Sequence, residues 1–166
     1  MNRFRIAGVI AAAVATAALT TGAALATAPP AHKPVKFAAA FSGKAVVRVS
    51  GSSASIAADA TGTATLLGKS KLSGKGVGTS TDPCPLFGGT GTITGLAGKR
   101  VNFVVAPATG NACTDEDGQI FSLSGRATFK GGTGRYLRAK GTFRFSGTFD
   151  RGSGLFSVKF TGLLTI

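Results

Sequence analysis

Tryptophan is absent, and histidine, tyrosine and methionine occur once each. There are 2 cysteines, and 6 acids stand against 19 Lys plus Arg, a formal charge of +13. Each shortage excludes something. Two cysteines cannot build a cysteine-only zinc site, and one histidine adds little. That histidine, His32, stands between Pro30 and Pro34, so Ser-His-Asp and Cys-His catalysis have no support. No apolar run is long enough for a multi-span membrane protein. What is present is a chain of 166 residues, 43% hydrophobic, with 25 Gly and 12 Phe. That length suits one domain, and the chain is too apolar for a disordered polycation.

The N-terminus reads as an address. Arg3 and Arg5 precede an apolar, alanine-rich run over residues 6–19, and Ala24-Leu25-Ala26 fits the small-x-small cleavage rule. The run is short and weakly hydrophobic for a membrane span. No cysteine near the cleavage site suggests a lipid anchor, and no twin arginine is present. The expectation is a signal peptide over residues 1–26, a Pro-containing linker over 27–40 and a folded domain over 41–166. The mature protein is then secreted and extracellular, with no transmembrane span left after cleavage. About 130 residues remain for a core that buries roughly two-thirds of its chain surface.

The body alternates with period two. Lys44-Ala-Val-Val-Arg-Val-Ser50 and Arg100-Val-Asn-Phe-Val-Val-Ala106 are two such runs. Phe143, Phe145 and Phe149 share one face, as do Phe156, Val158 and Phe160. Residues 54–67 are alanine-rich, but Gly62 and the repeated threonines predict strand. Turn signals are read at Gly68-Lys-Ser, Gly74-Lys-Gly, Gly88-Gly, Gly95-Leu-Ala-Gly98, Asp117-Gly118, Gly131-Gly-Thr-Gly134 and Asp150-Arg-Gly152. Short, evenly spaced strands predict an all-β antiparallel meander, closed as a barrel or folded as a sandwich.

The run from Phe121 through Lys130 leads into Gly131-Gly132-Thr133-Gly134-Arg135-Tyr136, followed by Ala139 and Gly141. This stretch resembles the allene oxide cyclase and dirigent barrel superfamily, in which a strand, GGTGR plus an aromatic, and a small residue before Gly open the next strand. Exported bacterial members share the signature. The resemblance implies an eight-stranded up-and-down antiparallel barrel with an apolar interior. Plant members cyclise an epoxide or guide radical coupling, using polar residues that project inward. No position here matches those residues, so the resemblance carries fold and not activity. The motif itself reads as a tight hairpin with Tyr136 packed beneath it.

Cys84 and Cys113 sit in the loop-like segments Asp82-Pro-Cys-Pro85 and Asn111-Ala-Cys-Thr114. An even count in an exported chain predicts a disulfide. Thr114-Asp-Glu-Asp-Gly118 gathers three of the 6 acids but misfits a calcium loop, because Cys113 takes the first ligand position and Ser124 the twelfth. It reads as a solvated turn. Gly62-Thr-Ala-Thr-Leu-Leu-Gly-Lys-Ser70 is one residue too long between glycines for a P-loop. No metal or cofactor is expected.

The basic balance is the remaining signal. Arg126, Lys130, Arg135, Arg138, Lys140, Arg144, Arg151 and Lys159 are opposed in that stretch only by Asp150. Arg135, Arg138, Lys140 and Arg144 are the anion-binding candidates. No specific nucleic-acid motif or aromatic stacking platform accompanies them. Two partners are therefore expected: an apolar small molecule inside the barrel, or an anionic cell-surface polymer on the basic face. The alternatives are a cyclase-like enzyme, which needs an inward polar group such as Asp59 or Asn102, and a purely structural secreted module.

Overall fold

A computed structural model describes residues 33–79 and 83–166. The signal-peptide reading, His32 and Asp82 lie outside the described residues. Eight strands follow in chain order: β1 (Val35–Ser50), β2 (Ser53–Ala64), β3 (Gly68–Thr79), β4 (Leu86–Gly95), β5 (Arg100–Thr114), β6 (Ile120–Gly132), β7 (Thr142–Asp150) and β8 (Leu155–Leu164). Each pairs antiparallel with the next, and β8 pairs with β1 to close an up-and-down barrel. Closure leaves no edge strand to aggregate. No helix among the described residues is long and apolar enough to cross a membrane.

Alternation decides which side chains enter. Phe143 and Phe145 of β7 and Phe156, Val158 and Phe160 of β8 are buried, while Arg144, Ser157 and Lys159 between them are exposed. The alanine-rich stretch is strand, as β2 and the turn after it. Many phenylalanines face a glycine on the neighbouring strand. The pairs include Phe41 with Gly62, Phe103 with Gly91, Phe145 with Gly125 and Phe143 with Gly162. A Cβ on Gly91 would run into the Phe103 ring, and one on Gly125 would meet Phe145. The rings lie on bare backbone, so aromatics and glycines fill the barrel together.

Two expectations need correction. Residues 35–40, read as linker, belong to β1. Pro34 is the last proline before β1, and every residue of β1 beyond it has an N–H for the ladders with its neighbours. Alternation also begins there, with Phe37 and Ala39 already buried. Gly74-Lys-Gly76 and Gly88-Gly89, read as turns, lie inside β3 and β4. They face each other, Gly74 opposite Gly91 and Gly76 opposite Gly89. These glycines shape a wall and do not reverse the chain. The turn read at Gly68-Lys-Ser70 comes just earlier, at residues 65–67, with Gly68 opening β3. The other predicted turns stand where expected, with positive φ at Gly98, Gly118, Gly131 and Gly134.

The two ends differ. At the end that collects the turns after β2, β4 and β6, the interior is packed solid. Phe129 lies 4.7 Å from Phe143 and 4.9 Å from Phe37 between ring centroids. Tyr136, fully buried, plugs this end from the β6–β7 connection. At the opposite end, which collects the turns after β1, β5 and β7, the interior is hollow.

Candidate functional site

The hollow is a cavity of about 880 Å³. Its origin is local. Between the inward Leu72 of β3 and Phe87 of β4, the wall is made of Gly74, Gly76 and Gly78 on β3 and Gly89 and Gly91 on β4. The adjoining wall of β2 offers only Ala54, Ile56 and Ala58. One side of the barrel therefore contributes almost no side-chain volume. The facing wall is aromatic, with Phe103, Phe145, Phe149 and Phe156. The volume falls within the range of small-molecule sites.

Among the described residues, Lys75 and Arg151 are the only titratable ones along the cavity. Lys75 is at an outward position of β3, and Arg151 stands in the β7–β8 turn at the mouth. Asp59 and Asn102, whose inward placement would have equipped a catalyst, are both exposed on the outer face. Asn102 instead accepts a hydrogen bond from Thr92 Oγ1 at 3.0 Å. The cavity can solvate apolar surface and stack rings, and among the described residues its walls hold no acid-base pair.

Cys84 and Cys113 form a disulfide. It locks the entry of β4 to the end of β5 beside the mouth. Backbone bonds flank it, from Ala112 N–H to Pro85 O and from Thr114 N–H to Pro83 O, both 3.0 Å. Pro85, Leu86 and Ala112 of this clasp line the cavity. The acidic turn is structural, since Asp115 Oδ1 accepts from the N–H of Gln119 at 3.1 Å and of Ile120 at 3.3 Å. Among the described residues no three His, Cys, Asp or Glu converge on a metal position. At the β7–β8 turn, the Ser153 hydroxyl and the N–H groups of Ser153 and Gly152 hydrogen-bond Asp150. They hold its carboxyl below the ordinary carboxylate range, the Ser153 hydroxyl contributing most.

The GGTGRY segment closes the packed end. Tyr136 donates its hydroxyl to Leu66 O at 2.9 Å, and Arg135 donates to that hydroxyl at 2.7 Å. The guanidinium lies 4.9 Å from the Tyr136 ring centroid. Arg135 is thus engaged in holding the plug.

The four anion-binding candidates do not share one face. Arg135, Arg138 and Lys140 belong to the β6–β7 connection at the closed end. Arg144 lies on the outer wall of β7, directly opposite Arg126 of β6. Alternation within β7 pointed Arg144 outward, but its neighbour on β6 follows only from register. The glycine-lined wall was also missed, because Gly74-Lys-Gly76 and Gly88-Gly89 carried turn signals. No family model, curated protein or solved structure matches this chain.

Proposed function

We propose that this protein is a secreted binding protein that holds an apolar small molecule in the open half of its barrel. One observation carries the reading: a cavity of about 880 Å³, glycine-walled on one side and phenylalanine-walled on the other. A barrel of eight strands has room to be filled by side chains or to hold one ligand. Here the closed half is filled and the open half is not. The aromatic wall favours a flat or conjugated ligand, through edge and offset ring contacts. Export is supported by the leader-like N-terminal sequence and by the disulfide. Kinship with the allene oxide cyclase and dirigent superfamily rests on the GGTGRY motif. Among the described residues, no inward acid or base supports a cyclase reading.

The test is native mass spectrometry of the protein recovered from its own host, with and without reduction. A small-molecule mass that leaves on denaturation supports the reading and identifies the ligand. A ligand-free protein that also fails to take up the apolar dye N-phenyl-1-naphthylamine refutes it. Chemical conversion of a bound compound on incubation would move the protein to the cyclase class.

A further inference from the structure

We propose that the closed end of the barrel docks on anionic lipid bilayers. The inference is independent of what the cavity holds. All three closed-end turns carry cations: Lys69 and Lys71 follow the first, Lys99 and Arg100 end the second, and Arg138 and Lys140 belong to the third. All six are exposed. The described acids stand elsewhere. Asp115, Glu116 and Asp117 form an open-end turn, Asp150 is at that end of β7, and Asp59 is midway along β2. Along β7 the two ends are roughly 30 Å apart, or about 23 Å along a barrel axis tilted ~40° to the strands. That is more than two Debye lengths at physiological salt, where the screening length is about 8 Å. The acids at the far end therefore do not cancel the positive field at the closed end.

Charge alone would suit any polyanion. The leucines select the bilayer. Leu96 heads the second turn and Leu137 the third, with 67% and 69% of their surfaces exposed. On the same two segments it is Val101 and Tyr136 that are fully buried. The turns are joined into one platform. Thr133 accepts through Oγ1 from Arg100 N–H at 2.9 Å and donates its own N–H to Arg100 O at 3.0 Å. Arg135 and Tyr136 tie the third turn to Leu66 in the first. Leucines presented on a rigid, cation-ringed platform match an interface of anionic headgroups over acyl chains. A soluble polyanion offers nothing to bury them. In this orientation the cavity mouth faces away from the membrane.

The experiment is co-sedimentation of the host-matured protein with phosphatidylcholine vesicles, with and without about a third phosphatidylglycerol. Binding is expected only to the anionic vesicles, and is expected to disappear near 1 M salt, where the screening length is about 3 Å. Replacing Lys99, Arg138 and Lys140 together by Gln should weaken the partition about 100-fold. The double variant Leu96→Ser, Leu137→Ser should weaken it at least tenfold while leaving adsorption to soluble polyphosphate unchanged. Arg48→Gln with Lys75→Gln, toward the other end, should have little effect. Equal binding to both vesicle types, or no binding to either, overturns the proposal. Binding that ignores the leucine changes makes the face a polyanion site and also overturns it. Thermal melts check that each variant is folded, and all of the changed residues are exposed.

Discussion

Gly74 and Gly76 face the cavity from one strand, two residues apart, yet substitution should act on them in opposite directions. A Cβ on Gly74 would meet only Thr90 O, at an ordinary 3.5 Å, whereas one on Gly76 would press on Gly88 O at 2.6 Å. Glycine inside a strand costs about 0.5–1 kcal/mol relative to alanine, through unfolded-state entropy. Gly74→Ala should recover that, raising Tm by about 2–4 °C in a domain of this size. At Gly76 the same gain is opposed by a backbone shift costing about 1–3 kcal/mol, so Gly76→Ala should be destabilising. Gly74→Leu should send its side chain into the cavity, adding at most about 2 kcal/mol of burial. It should also weaken binding of an apolar dye at least tenfold, or about 1.4 kcal/mol. Urea and thermal melts without reductant, with dye titration, read all three. A destabilised Gly74→Ala beside a neutral Gly76→Ala would refute the β3–β4 register. Unchanged dye affinity in Gly74→Leu would show that the dye does not occupy the cavity.

Further outcomes follow from single contacts. Reducing Cys84–Cys113, which are 29 residues apart, should cost about 3 kcal/mol by loop entropy, seen as a lower urea midpoint with a somewhat steeper slope as the unfolded chain expands. Tyr136→Phe removes a buried hydroxyl that both donates and accepts, and should cost about 1–2 kcal/mol in the same assay. Asp150 has a depressed folded-state pKa, so its contribution is present above the ordinary carboxylate value and lost as pH falls through the lower folded value. Acid melts should therefore show a fall in stability below the ordinary carboxylate range that shrinks in Asp150→Asn.

Much of the fold was legible because alternation is a local property. Phe143, Phe145, Phe156 and Phe160 could be assigned to the interior from their own strands, and the hairpins at Gly95–Gly98 and Gly131–Gly134 from their own turn chemistry. The disulfide followed from the even cysteine count and the leader-like N-terminal sequence. Reading failed where a residue's role depended on a neighbour distant in sequence. A glycine looks the same whether it reverses the chain or lies beneath a partner, so Gly74, Gly76, Gly88 and Gly89 were misread as turns. The start of β1 was missed because its partner, β8, lies more than a hundred residues away. Tyr136 was expected beneath its turn, but nothing nearby in sequence named Leu66 as its acceptor.

The sequence by itself determined most of the strand content, the inward faces of β7 and β8, the cysteine pair and the excess of cations. These depend on side-chain period, turn geometry and composition, which are properties of short segments. Only the tertiary structure decided that one half of the barrel is packed and the other hollow, that Arg144 stands beside Arg126 and apart from Arg135, and that the described acids and the closed-end cations lie at different levels. Closure and register set those relations, because a cavity or a charged face is made by residues whose spacing along the chain bears no relation to their spacing in space.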